Sequence, residues 1–437
     1  PTPAPTPAPE TISTLGNRVL GDNISNLDES DGIWFGFSTQ ISADGSTLVA
    51  SAPFSLLDGG YDRTNEGYVE VYEYINDEWQ IKGQRIEGTY QSCTGFRVAI
   101  NDNGNTIAVA SVCEDYGYPG DTGFVRIYNF QEDGWVQVGN SIGGYYYGGY
   151  PSDGEFGRSL DLNLEGNIVA IGSPYSSING GSPWPSGLVR VFQHSLETDT
   201  WEELGYAMYG SPNKPYFGDD IDLNSAGDRI IISSTQHGTG LPSYNVGVFQ
   251  YNSEINNWQL MQDTFPGPEL NTRLSVSISG DGNTIAIGDG DASLVRTYIY
   301  NGLSWLRSDT WYNPVHNLTY PSLAGGRLFG ETVDLDEDGD TIIVSAREFV
   351  RDVNDYDFDH CSPYSCQARV SVYKYNGERW NQFSHDFPAH GRVTAGINHL
   401  NVSISDDGSR AIIGAPGWDD TYAKNVGYVI GIEMSNQ

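Results

Sequence analysis

Basic residues are scarce in this sequence: 22 Lys and Arg face 57 Asp and Glu, for a net charge of −35. Nucleic-acid binding through phosphates rests on clustered cations, so that class of partner is excluded. Methionine is rarer still, at three in 437 residues, and no stretch carries helical apolar spacing. No apolar run approaches the roughly 18 residues that cross a bilayer as a helix, so no membrane span is expected in this chain. The catalytic signatures H-E-x-x-H, P-loop and C-x-x-C are absent as well.

What is present is glycine, tyrosine and repetition. The 53 glycines and 28 tyrosines suit strands and turns. Residues 35–53, FGFSTQISADGSTLVASAP, alternate apolar with small polar residues on both sides of an Asp44-Gly45 turn, which predicts a β-hairpin. The unit recurs with turn glycines Gly45, Gly104, Gly166, Gly227, Gly282, Gly339 and Gly408, spaced 55 to 69 residues apart. Four residues before each glycine stands Ile or Leu; three before stands Ser42, Asn101, Asn163, Asn224, Ser279, Asp336 or Ser405. A second hairpin follows in each repeat, its last strand opening with Trp79, Trp135, Trp201, Trp258, Trp305 or Trp380. Four antiparallel strands per repeat, seven times, predict an all-β, seven-bladed β-propeller.

The seventh repeat stops before any tryptophan strand. Gly16-Asn-Arg-Val-Leu-Gly21 shares the spacing of Gly83 to Gly88, with Ile12 in the tryptophan position, so an N-terminal strand is expected to complete the last blade. The domain then spans 11–437, preceded by a Pro/Thr/Ala-rich linker, 1–10, that suggests a longer parent polypeptide. Cys93 and Cys113 flank the second hairpin symmetrically, and Cys361 and Cys366 close a short loop. Two disulfides are expected, with an oxidising, extracellular or cell-surface location. The sequons at Asn23 and Asn317 are the expected glycosylation sites, whereas Asn401 falls in an inner strand.

The pattern FG…S…DG…A-P followed by G-x-V-x-V-Y resembles the FG-GAP repeat of integrin α-subunit propellers over residues 11–434. Blades two and five depart from it, with Thr94-Gly95 and Thr272-Arg273 for Phe-Gly. The alternating Asp334, Asp336 and Asp338 resemble the calcium loops of that family, which implies a Ca²⁺ there. The alternative is a solvated strand face ending in an Asp-Gly turn.

Strand order puts the tight turns on a lower face and the long loops on an upper one. Trp34, Trp184, Trp311 and Trp418 map above, with Tyr146, Tyr175 and Tyr312, and are read as ligand contacts. These features predict a non-catalytic extracellular binding or adhesion propeller that recognises a protein or glycan. The alternative is a self-assembling structural subunit of a surface appendage or matrix. A glycan-active enzyme, which would need acid/base residues converging in the central channel, is the third reading.

Overall fold

The computed structural model describes residues 10–21, 33–54, 65–114, 122–144, 146–147, 150–151, 154–176, 185–210, 216–234, 245–262, 265, 274–290, 292–312, 329–349, 366–384, 386–389, 392–393, 400–416, 418–419 and 426–436. Seven antiparallel sheets, each of four strands in chain order from the axis outward, form the blades of a propeller. Blade 1 runs Thr39–Ile41, Thr47–Ala52, Tyr68–Ile75 and Glu78–Ile81. In blade 7, Asn401–Ile404, Arg410–Ala415 and Tyr428–Asn436 are completed by Glu10–Leu20, with Ile12 opposite Met434. The first strand to be made thus pairs with the last. No helix occurs among the described residues.

The small polar residue three before each turn glycine has a uniform task. Its side chain accepts the backbone N–H that re-enters the second strand: Thr47 to Ser42, Thr106 to Asn101, Ile168 to Asn163, Arg229 to Asn224, Thr284 to Ser279, Thr341 to Asp336 and Arg410 to Ser405. Only short acceptors reach back across a hairpin in this way, which explains the restriction to Ser, Asn and Asp. These seven turns are themselves joined. The N–H groups of Ala43, Asp102, Leu164, Ser225, Asp281, Glu337 and Asp406 donate in turn to carbonyls of Asp102, Leu164, Ser225, Gly280, Glu337, Asp406 and Ala43, at 2.9–3.2 Å. The ring of peptides closes on itself around the axis.

A second latch lies at the rim. The buried indole of Trp79 donates from Nε1 to the Leu15 carbonyl, and its backbone N–H donates to Asn17 Oδ1. Trp135 uses Lys82 and Gln84, and Trp201 uses Val138 and Asn140, in the same way. Each ring rests on the glycine between those two partners. At Gly16 (φ 70°) an added Cβ would lie 2.9 Å from the Tyr74 ring and 3.1 Å from Trp79. Gly16 of the N-terminal strand therefore does for the junction of blades 7 and 1 what Gly83 does for blades 1 and 2.

The Phe-Gly step seals the upper seam. Phe35, Phe156, Phe217 and Phe329 are buried, and Gly36 (φ 85°) lets the chain press against the backbone of Gly414 and Ala415 in blade 7. In blade 2, where Thr94 replaces the phenylalanine, a polar contact from Thr94 Oγ1 to Ser111 Oγ and the Cys93–Cys113 disulfide (Cα–Cα 5.4 Å) hold the seam instead. Cys361, and with it the second expected disulfide, lies outside the described residues, as do the Asn23 and Asn317 sequons.

Two details differ from expectation. The outer strand is broken in several blades: after Ile81 the chain leaves the sheet and rejoins it at Ile86–Glu87. The outer strand of blade 5 runs on to Tyr312, so Trp311 and Tyr312 pair with Val295 and Leu294 instead of lying in a loop.

If the rim latch closes the ring, Trp79→Ala should cost about 3–5 kcal/mol, as expected for a buried aromatic. Gly16→Val should also lower the melting temperature of the whole domain, while exposed Leu303→Ser should leave it unchanged. Denaturant melts of the three variants check this; a Gly16→Val protein as stable as wild type would contradict the latch.

Candidate functional site

The inner strand of every blade is a sheet edge, and its outward N–H groups face the central channel with no strand to pair with. The preceding blade supplies the acceptors. Counting back from each turn glycine, the side chain five residues before it accepts the N–H of the next inner strand. Ile100 donates to Gln40, Leu223 to Asp161, Ile278 to Asp222, Leu335 to Ser277, Ile404 to Asp334 and Ile41 to Ser403, at 2.7–3.3 Å. Ala99 in blade 2 is the exception, having no acceptor to offer. Two residues higher, Ser38, Asp220, Ser275 and Asn401 accept from Val98, Val276, Val333 and Thr39. Two tiers of polar side chains thus bracket the blades together along the channel.

These tiers line a chamber of about 530 Å³ in the channel, reached from the face where the inner strands begin. That volume suits a small ligand. Phe37 and Phe96, ring centroids 5.2 Å apart, form an apolar wall. Arg158 enters beside them, paired with Glu155 and 3.8 Å from Asp219, its guanidinium over the rings of Phe96 (5.4 Å) and Tyr175 (5.1 Å). Arg97 lines the same chamber and draws the Asp220 carboxyl downward, but loss of water outweighs it and pushes Asp220 up to about 6.

The carboxylates below are displaced in the same direction. Loss of water leads in each case, against the N–H bonds they accept. Asp334 is pushed up to about 7, and Asp161 and Asp222, which share a hydrogen bond, are both raised, Asp222 further by the charge of Asp161. At the narrow end a recess of about 100 Å³ lies against the peptide ring. There Ser225 donates to Glu337 over Gly280 of the intervening blade, and burial, with Glu337 and Asp102 nearby, lifts Asp406 to about 7.

The calcium expectation meets a different geometry. Asp336 turns back into its hairpin, where Oδ1 accepts the N–H groups of Asp340 and Thr341. Asp334 points to the channel and accepts Ile404 N–H, while Asp338 is exposed at the turn. The three do not converge, and no metal-holding group of three such side chains occurs among the described residues.

The aromatic set also disperses. Trp34 is buried in the seam before Phe35, with left-handed backbone (φ 59°). Tyr175 stands half-buried under the Arg158 guanidinium, edge-on to Tyr216. Trp418 pairs with Val393, and Tyr146 with Pro151, in two small two-stranded sheets; Trp184 lies outside the described residues. Sequence reading missed the channel residues Arg97, Arg158 and Asp220. Their signal was the alternation of the inner strands, which sends every second side chain toward the axis.

No family model and no curated protein matches the sequence. Among solved structures the chain is similar to a periplasmic gluconolactonase of Pseudomonas aeruginosa, with 13% identity, TM-score 0.50, and coverage of 84% of this chain and 93% of that one. It is similar to a putative 6-phosphogluconolactonase of Bacteroides fragilis, with 12% identity, TM-score 0.50, and coverage of 86% and 89%. The Cps50 (Swd1) β-propeller domain of Myceliophteria thermophila gives 9% identity, TM-score 0.50, and coverage of 94% and 99%. These define the class: a seven-bladed β-propeller. The expectation of a non-catalytic binding or adhesion propeller, with a structural subunit as its alternative, is corrected here. The similar propellers include proteins named as gluconolactonases, and the convergent titratable groups lie in the channel. At these identities the likeness shows the fold alone, so chemistry must be argued from the channel.

The channel carboxyls also set a pH dependence of stability. Their folded-state values lie above the ~4 of an unfolded Asp. Across that interval the folded form holds more protons, so the stabilisation is full below about pH 4 and is lost as pH rises through 6 to 7. The melting temperature should fall between about pH 5 and pH 8. Asp334→Asn, which still accepts the Ile404 N–H, should flatten that fall; equal slopes for both proteins would remove Asp334 as a contributor.

Proposed function

We propose that the channel chamber hydrolyses a small sugar-derived lactone or ester, with Asp220 as general base. The observation that carries this reading is that Asp220 and Arg97 both line the chamber, near enough for the Arg97 charge to act on Asp220, in a volume fitting a sugar ring. The Asp220 carboxylate takes a proton from water, and the water oxygen attacks the ester carbonyl. Arg97 meets the developing oxyanion. Collapse breaks the carbonyl carbon–ring oxygen bond, and the proton passes to the departing oxygen, leaving a hydroxy acid. Phe37 and Phe96 offer the apolar face against which a sugar's C–H groups stack. The names of the similar propellers from Pseudomonas aeruginosa and Bacteroides fragilis agree with this class. The Cys93–Cys113 disulfide supports a location outside the reducing cytoplasm, and the buried Phe-Gly steps support an FG-GAP type of repeat.

Hydrolysis of glucono-δ-lactone above its spontaneous rate, followed with a pH indicator, tests the reading. Activity should rise with pH through about 6, as Asp220 ionises. Asp220→Asn keeps an acceptor for Val276 and should fold, yet lose roughly 100-fold or more in kcat/KM, typical of a lost general base. Full activity in Asp220→Asn would exclude this residue as the base.

A further inference from the structure

Resting on that reading, we infer that the chamber selects uncharged sugar lactones and rejects phosphorylated ones. The argument is the charge that lines it. Six acids, Asp161, Asp219, Asp220, Asp222, Glu331 and Asp334, face the chamber against two arginines, Arg97 and Arg158. Protonating Asp222 and Asp334 would still leave four acids against two arginines.

Phosphate recognition needs donors that are not already spent on carboxylates. Arg158 is committed on every side: Glu155 and Asp219 hold its guanidinium, and Phe96 and Tyr175 cover its faces. Arg97 is assigned to the oxyanion of the reacting carbonyl, which leaves no second arginine of the chamber for a phosphate. The backbone N–H groups of Val98, Val276, Val333 and Thr39, which could otherwise form an anion-binding surface, are taken by Ser38, Asp220, Ser275 and Asn401. A phosphate dianion entering this chamber would meet like charges in a poorly hydrated space, where such repulsion is strong and little screened by salt. A neutral lactone meets an aromatic wall and polar acceptors for its hydroxyls. The hydroxy-acid product carries the sign of the lining, so its release is favoured.

The test compares initial rates for glucono-δ-lactone and its 6-phosphate on the full chain and on an Asp219→Asn/Glu331→Gln double variant. The wild type should favour the uncharged lactone by at least tenfold in kcat/KM. The double variant should raise the phosphorylated-to-neutral ratio severalfold. Wild-type preference for the phosphorylated lactone, or a ratio unmoved by the double variant, would overturn the charge argument while leaving lactone hydrolysis intact. Turnover of neither lactone would instead remove the hydrolytic reading and this inference with it.

Discussion

Closure is the constraint on which this molecule depends. Seven sheets that each bury only part of their surface are unstable alone, and a ring works only if its last junction is as good as the other six. Three concentric contacts meet that demand. Peptides of the hairpin turns hydrogen-bond around the axis, polar side chains bracket neighbouring inner strands, and indoles lock the rim. At the junction of blades 7 and 1 all three recur, the first two with partners hundreds of residues apart in sequence. Asp406 N–H reaches Ala43, Ile41 N–H reaches Ser403, and Trp79 reaches Leu15. The N-terminal strand is therefore part of the ring and no accessory to it.

Most of this architecture is legible in the sequence because it is repeated and local. A turn glycine, a short acceptor three residues before it and a tryptophan that opens the outer strand are each fixed by contacts within one blade or with its neighbour. Seven copies average out the exceptions. Even the closing strand could be read, because Gly16-Asn17 obeys the same stereochemistry as Gly83-Gln84: left-handed glycine under the next indole, then an acceptor for the tryptophan N–H.

The site was less legible for the opposite reason. A stray tryptophan draws the eye, but Trp34 is an inter-blade packing residue whose exposure no local rule predicts. Asp336 follows the alternation of a calcium loop, yet the hairpin itself uses its carboxylate, as it uses Asn101 or Ser42 elsewhere. The chamber residues come one or two from each of several blades. Their convergence is visible only when the inner strands are superposed column by column.

That superposition separates chemistry from scaffold. In the column five before the turn glycine, Ser277 and Ser403 satisfy the neighbouring N–H with a hydroxyl, and Gln40 does so with an amide. The bracket needs an acceptor and nothing more. Blades 3, 4 and 6 nevertheless place Asp161, Asp222 and Asp334 there, and blade 4 repeats the choice above with Asp220 where blades 1 and 5 have serine. Burial raises every one of these carboxyls, so each costs stability near neutral pH that a serine would not. Acids concentrated in one sector of the channel, against their own energetic interest, mark where the fold gives up stability for function. The sector that carries them also carries Arg158 and Asp219, and it borders Arg97. The acidic composition of the chain as a whole says nothing of this; the position of a few aspartates relative to a hydroxyl alternative does.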